Sequence, residues 1–297
     1  MQKQILMLLL GGVLLSPWVT RAAESKTGQT LAVAAVQMRS SRDLADNLTR
    51  IIRSVRDCAH RGARVVVFPE CALTGYFDGG FMKHFTQEQL ADAERQVAEA
   101  CREHNVYAIM GMPYRDGTKL FNSAAVIGPA GQFIERYHKI HSEPWSDPGD
   151  HLSVFKVDGI SCSIIICHDE RYPELVRLPV LAGARLIFYI SNESGIREEK
   201  KIGPYRAQIQ ARAMENTVYV VQANAPANSD TTGSHGQSRI IAPDGNIVEE
   251  ATMFDENVVT ATLELSRASG GLARASANSG PLRDWWKEGV RRVRLVE

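Results

Sequence analysis

The sequence predicts a layered α/β fold, and three observations carry that expectation. Short, nearly continuous apolar runs recur at residues 31–36, 65–68, 106–110, 163–166, 186–190 and 218–222. Runs of this kind suit strands covered on both faces. Segments with apolar residues at helical spacing alternate with them, which is the order of a sheet flanked by helices. Two tetrapeptides rich in turn formers, Gly128-Pro-Ala-Gly131 and Pro243-Asp-Gly-Asn246, each separate two strand-like runs and read as hairpins.

Taken in order, residues 31–36 form a buried strand. Residues 43–60 form an amphipathic helix, with Leu44, Leu48, Ile51, Ile52, Val55 and Cys58 on one side and Gly62 ending it. Pro69 stops the strand at 65–68. Residues 86–104 form a second helix, in which Thr86 and Gln89 have the spacing of a capping box. Strands at 120–127 and 132–137 flank the first hairpin turn. Residues 173–182 read as a helix with Pro173 in its first turn, and 205–216 as another. Strands at 238–242 and 247–250 flank the second turn, and 258–263 is the last strand. Residues 268–280 are rich in Ser, Gly and Ala and predict a linker. Beyond them, 282–297 surrounds Trp285-Trp286 with five basic and three acidic residues. That pair predicts docking on a surface of this chain or of a partner subunit. No internal repeat is present.

The 297 residues are 44% hydrophobic and 23% charged, too apolar for a disordered chain. Lys+Arg and Asp+Glu both number 34, so the chain has no broad basic face and nucleic acid is not an expected partner. The common nucleotide-binding and zinc-binding signatures do not occur. The first residues read as a leader rather than as fold. Lys3 precedes an apolar run at 5–15, and Thr20-Arg21-Ala22 places small residues where a signal peptidase cuts. A signal peptide over residues 1–22, an exported protein, and no membrane span after processing follow as expectations. Cleavage would leave a net charge of −2. An uncleaved anchor is the alternative. Five cysteines, an odd and small number, do not make a disulfide scaffold. Cys58 and Cys101, on predicted helices, read as small buried hydrophobes.

Three polar residues stand where apolar strands end: Glu70, Lys139 and Cys167. Strand ends are where crevices open in α/β sheets, and a carboxylate, an ammonium and a thiol make a workable set for covalent catalysis. A thiol at a strand-to-helix turn also feels the positive end of the helix dipole, which favours thiolate. Zinc held by Cys167, His168 and Asp169 is a poor reading, because three consecutive residues on a strand do not converge on one ion.

These segments resemble the nitrilase superfamily, the carbon–nitrogen hydrolases. Val67-Phe-Pro-Glu70-Cys-Ala-Leu-Thr-Gly-Tyr76 is similar to its glutamate motif, Arg136-Tyr-His-Lys139-Ile-His141 to its lysine motif, and Ile165-Ile-Cys167-His-Asp169-Glu-Arg171-Tyr-Pro173-Glu174 to its cysteine motif. Later blocks at 211–217, 222–224, 236–238 and 243–245 follow in the family's order, so the resemblance covers about residues 31–263. It implies a four-layer αββα sandwich over residues 30–265, with 266–297 as linker and tail, and a homodimer or higher homo-oligomer. It implies cofactor-free hydrolysis of a linear amide or N-carbamoyl compound through a cysteine thioester, releasing ammonia or an amine. Cys167 is the implied nucleophile, Glu70 the general base, and Lys139 with the His168 backbone N–H the oxyanion donors. In the loop after Lys139, Glu143 is assigned as a second glutamate, with Asp147 as the alternative. Tyr76 and Asn192 fall at positions where the family contacts substrate.

The cysteine motif departs from the family in places. His168 stands where Tyr, Trp or Asn is common. Glu170 stands where carbamoyl-amino-acid hydrolases often carry Arg, which disfavours a carboxylated substrate. Glu193 is a second acid near the implied pocket, and the two acids together would suit an amine-bearing substrate such as a carbamoyl polyamine. Arg171 is expected to pair with Glu174 or Asp169. A nitrile substrate fits less well, since dedicated nitrilases resemble Cys-Trp-Glu where this chain has Cys167-His168-Asp169. Acyl transfer to another acceptor, and a non-catalytic binding or scaffold protein that kept the fold, are the remaining alternatives.

Overall fold

The computed structural model describes residues 28–193 and 202–296, so the expected leader lies outside the described residues. Chain order in the first half is β1 (Thr30–Gln37), α1 (Leu44–His60), β2 (Val65–Val67), α2 (Gly79–Met82), α3 (Gln87–His104), β3 (Tyr107–Asp116), β4 (Lys119–Ile127) and β5 (Phe133–His138). The second half continues with β6 (Leu152–Val157), β7 (Ile160–Ile166), a short 3-10 turn over Cys167–Arg171, α4 (Glu174–Leu181), β8 (Leu186–Ser191), α5 (Ile202–Met214) and β9 (Tyr219–Asn224). It closes with β10 (Arg239–Ile241), β11 (Ile247–Glu250), β12 (Asn257–Glu264), α6 (Gly271–Ala277), α7 (Arg283–Val290) and β13 (Val293–Leu295).

Two sheets result. One has the order β12-β1-β2-β3-β4-β5 and the other β11-β10-β9-β8-β7-β6-β13. They pack face to face, with α1 and α3 outside the first and α4 and α5 outside the second. This is the αββα sandwich. The pleat explains how one strand serves two layers. In β2, Val65 and Val67 enter the core between the sheets, while Val66 and the following Phe68 enter the core under α1 and α3. All four are fully buried, as a strand covered on both faces requires.

Local chemistry sets the element ends. The Asp43 carboxylate caps α1 by accepting from the Ala45 N–H at 2.8 Å. Thr86 and Gln89 close the expected capping box on α3, the Gln89 N–H to the Thr86 hydroxyl at 3.2 Å and the Thr86 N–H to the Gln89 side chain at 2.9 Å. Both hairpin turns form as read, β4 with β5 and β10 with β11. Two further hairpins form, β3 with β4 and β6 with β7, the latter turning at Asp158-Gly159, where both residues have positive φ of 46° and 81°. Asp-Gly is a sequence signature of such a tight turn, and it lies outside the two hairpins expected from the sequence.

The segment expected to be a linker is not one. Residues Gly271–Ala277 form α6, with Ala268 and Ala273 buried in the main core. Small side chains, read from composition as a sign of flexibility, here let the helix lie close against α4. The last residues then add β13 to the free edge of β6 in parallel, Val293 opposite Leu152. On α7, Trp285 is exposed and Trp286 half-buried, their rings edge to face with centroids 4.4 Å apart. Among the described residues no helix is long and apolar enough to cross a membrane.

Candidate active site

Glu70 follows β2 and Pro69 at the end of the first sheet and is buried. Its loop runs so close to β3 that a Cβ on Gly111 would lie 2.2 Å from the Pro69 carbonyl and 2.7 Å from the Glu70 Cα, so only glycine fits there. Glu70 Oε1 accepts from Lys139 Nζ at 2.8 Å and from Asn122 Nδ2 at 2.7 Å, and Oε2 accepts from the Asn192 backbone N–H at 2.9 Å. Burial pushes the Glu70 carboxyl above the usual carboxylate range. The Lys139 charge and the Asn122 bond pull against it, and Glu143 adds to the rise.

Lys139 leaves β5 with its side chain buried, and Nζ also bonds Glu143 Oε1. Burial opposes the ammonium, but the charges of Glu70 and Glu143 beside it outweigh that cost and hold the lysine firmly protonated. Its backbone is fixed from both sides. The Lys139 N–H donates to the Asn122 carbonyl, and the Lys139 carbonyl accepts from the Gly149 N–H, each at 2.8 Å. Glu143, rather than Asp147, is the second acid beside the lysine. Asp147 is occupied elsewhere, accepting from the Leu120 N–H at 2.9 Å to close the loop.

Cys167 ends β7 in the second sheet with φ of 44°, a left-handed conformation that a non-glycine residue adopts only when its surroundings impose it. It is half-buried, whereas Glu70 and Lys139 are closed off. The thiol does not follow the dipole expectation. Cys167 opens a 3-10 turn, with α4 starting only at Glu174. Desolvation and the Glu70 charge push the thiol well above its ordinary value, against the pull of Lys139. At rest it is a protonated thiol beside a carboxylate. The arrangement therefore joins an acid, an ammonium and a sulfur from two sheets, each acting on the ionisation of the others.

The remaining residues divide. Tyr76 is half-buried, edge to face with Trp145 at 6.3 Å, and its hydroxyl is held protonated by burial and by the Glu70 and Glu143 charges. It therefore borders the cluster. His168 is half-buried beside His141 and Tyr172, and burial, Arg171 and Lys139 keep its ring neutral. Asn192 enters through its backbone N–H. Arg171 pairs with neither Glu174 nor Asp169. Its guanidinium lies over the Tyr205 ring, 4.6 Å from the centroid, and bonds the Tyr205 hydroxyl.

Glu170 and Glu193 do not form an anionic pair awaiting an amine. Both are buried, and they share the Tyr189 hydroxyl, with Glu170 Oε2 at 2.6 Å and Glu193 Oε1 at 2.7 Å. Glu193 also accepts from Gln222 Nε2 at 2.8 Å and contacts His235 Nε2 at 2.5 Å. One hydroxyl carries one hydrogen, so one carboxyl must bring its own. Glu193 is the ionised member, held low by His235 against the cost of burial. Burial and the Glu193 charge raise Glu170 to about 8, so it carries the proton at neutral pH. The charge argument for a polyamine substrate fails on this geometry.

Asn122 joins the site without having been expected from the sequence: its amide bridges Glu70 Oε1 and Glu143 Oε2 at 2.7 and 3.1 Å. Asn122-Ser123 inside an otherwise apolar strand was the available signal, since a buried polar pair in mid-strand needs partners. Among the described residues no three His, Cys, Asp or Glu side chains gather so as to hold a metal ion.

Comparison with known proteins identifies the family. Residues 32–270 match the family model described as carbon-nitrogen hydrolase. Omega-amidase NIT2 of Danio rerio is 31% identical over 252 residues, covering 78% of this chain and 88% of that one. A nitrilase of Pyrococcus abyssi is 30% identical over 234 residues, covering 74% and 84%. Among solved structures, an amidase from Nesterenkonia sp. superposes with a TM-score of 0.74 at 21% identity, covering 86% of this chain and 96% of that one, a likeness of fold. The sandwich, the ordered motifs and the family match lead to one conclusion: this chain belongs to the carbon–nitrogen hydrolase family, within the nitrilase superfamily.

Proposed function

We propose that the protein hydrolyses a linear amide through a thioester on Cys167. Glu70 takes the thiol proton as the sulfur attacks the carbonyl carbon. Lys139 and the His168 backbone N–H stabilise the oxyanion. Glu70 returns the proton to the departing nitrogen, so ammonia or an amine leaves and the acyl group stays on sulfur. Glu70 then deprotonates a water, which attacks the thioester, frees the carboxylic acid and restores the thiol. A carboxyl raised above the usual range by burial suits this shuttling, because it holds a proton more readily than an exposed carboxylate and can still give it up. Glu143 holds Lys139 in place. The observation that carries the reading is the buried Glu70–Lys139 pair, 2.8 Å apart, set against a half-buried thiol in a left-handed turn.

The omega-amidase relatives support an amide over a nitrile, and an N-carbamoyl group remains within the chemistry of the same carbonyl attack. The leader-like residues 1–22 support export of the mature protein. The exposed Trp285, Leu282 and Leu272 near α4 support assembly into a homo-oligomer. The deciding experiment screens ammonia release over simple amides, omega-amides of dicarboxylic acids, carbamoyl compounds and nitriles. Cys167→Ala should abolish release from every accepted substrate while the thermal transition persists. Turnover retained in that variant would refute the nucleophile.

A further inference from the structure

Cys167 and Lys139 belong to different sheets, and one side chain joins their supports. Asp169 lies two residues after the cysteine and is completely buried. Its Oδ2 accepts from the Tyr137 hydroxyl at 2.9 Å, and its Oδ1 accepts from the His141 backbone N–H at 2.9 Å. Longer contacts reach Oδ2 from the Ile140 N–H at 3.5 Å and the Ile166 N–H at 3.4 Å. Tyr137 lies on β5 two residues before Lys139, and Ile140 and His141 are the two residues after it. Ile166 is the last residue of β7, directly before Cys167. We propose that Asp169 is a positioning residue that clamps the lysine loop of the first sheet to the cysteine turn of the second, and so sets the distance between ammonium and sulfur.

The chemistry requires a carboxylate. Every group that meets it is a donor: three backbone N–H groups and one hydroxyl. An amide in its place would turn an NH₂ toward N–H donors. The tyrosine is equally committed, fully buried with its hydroxyl on Asp169. The contact to the Ile166 N–H also braces the turn that holds Cys167 at positive φ, which an unsupported cysteine would relax. The clamp does not touch the site where substrate carbon and nitrogen react, so its loss should act on alignment rather than on binding.

The inference rests on Cys167 as nucleophile, and the test separates the two. Asp169→Asn keeps the volume and removes the acceptor. Tyr137→Phe removes one oxygen and leaves the ring packing. Both are compared with wild type for kcat, KM and the rate at which iodoacetamide alkylates Cys167, identified by peptide mass. Misalignment at this scale is worth about tenfold to a hundredfold. Asp169→Asn should lower kcat by that factor with KM within about twofold, and slow alkylation of Cys167 in parallel. Tyr137→Phe should do the same to a smaller degree, and the double variant should be no worse than Asp169→Asn. If Asp169→Asn does not fold, Tyr137→Phe decides alone. Tyr137→Phe with kcat and alkylation at the wild-type level, or losses carried by KM with alkylation unchanged, would overturn the clamp. Alkylation needs no chosen amide, so its wild-type rate reports on the nucleophile and the variant ratio on Asp169.

Discussion

A single hydroxyl between two carboxyl groups fixes the charge that acts on Cys167 from Glu170 and Glu193. Tyr189 has one hydrogen to give, Glu193 is already matched to His235 and Gln222, and Glu170 must therefore stay neutral. The consequence for stability has a definite sign. In the unfolded chain Glu170 ionises near 4.5, while in the folded chain it holds its proton to about 8. Between those values the native state binds the extra proton, so this group makes stability fall as pH rises. Glu170→Gln keeps a neutral donor toward Tyr189 and removes the titration. The variant's melting temperature should drop less than the wild type's between pH 5.5 and pH 8. Equal drops would mean that Glu170 is already ionised in the native state at neutral pH. At this scale the sequence was legible where a polar residue interrupts an apolar strand end, as at Glu70, Lys139 and Cys167. It was illegible at Glu170 and Glu193, whose meaning depends on one tyrosine hydroxyl shared between them and on a histidine 42 residues beyond Glu193.

At the scale of elements, the site depends on how closely strands carry its loops. β3 admits the Glu70 loop only because residue 111 lacks a side chain. A methyl there meets three backbone atoms of the Pro69–Cys71 loop, at 2.2, 2.6 and 2.7 Å, and backbone cannot rotate away. Gly111→Ala should cost about 2 kcal/mol through overpacking. Because the displaced backbone is that of Glu70, kcat should fall further than a stability loss alone explains. Thermal melts alongside turnover at a temperature where both proteins are folded would check this. Wild-type kcat in the variant would show that Glu70 tolerates the shift. Helix caps and two hairpins were read correctly because they follow from residues a few positions apart, as Thr86 with Gln89. Strand lengths were not, since β3 extends to Asp116 by pairing with β4 along its whole length.

For the whole molecule, the tail matters more than its composition suggested. β13 covers the edge of β6, and Gly289 of α7 sits so near Leu178 of α4 that a Cβ would approach it to 2.6 Å. A chain ending at residue 278 loses both contacts. It should melt at a lower temperature, and the freed edge of β6 should promote association, since an unpaired apolar edge strand templates pairing. Differential scanning calorimetry and light scattering would detect the two effects, and an unchanged melt would show that the tail adds nothing to the sandwich. The same scale explains the cluster of Glu70, Lys139 and Cys167. Glu70 and Lys139 come from the first sheet and Cys167 from the second, so no local rule could bring them together; only the face-to-face packing does.

By itself the sequence determined most of the strands and helices as far as β12, the layered class, and the three polar residues at strand ends. Each of these follows from periodicity, turn chemistry or an interrupted apolar run, all of them short-range. The tertiary structure alone decided that the tail is ordered, that Glu143 rather than Asp147 meets the lysine, that Asp169 spans the two sheets, and that Glu170 is neutral. These are questions of which groups share a hydrogen and which lose water. The answers depend on neighbours brought within 3 Å by packing, and on a desolvation cost that exists only once the core has closed around them.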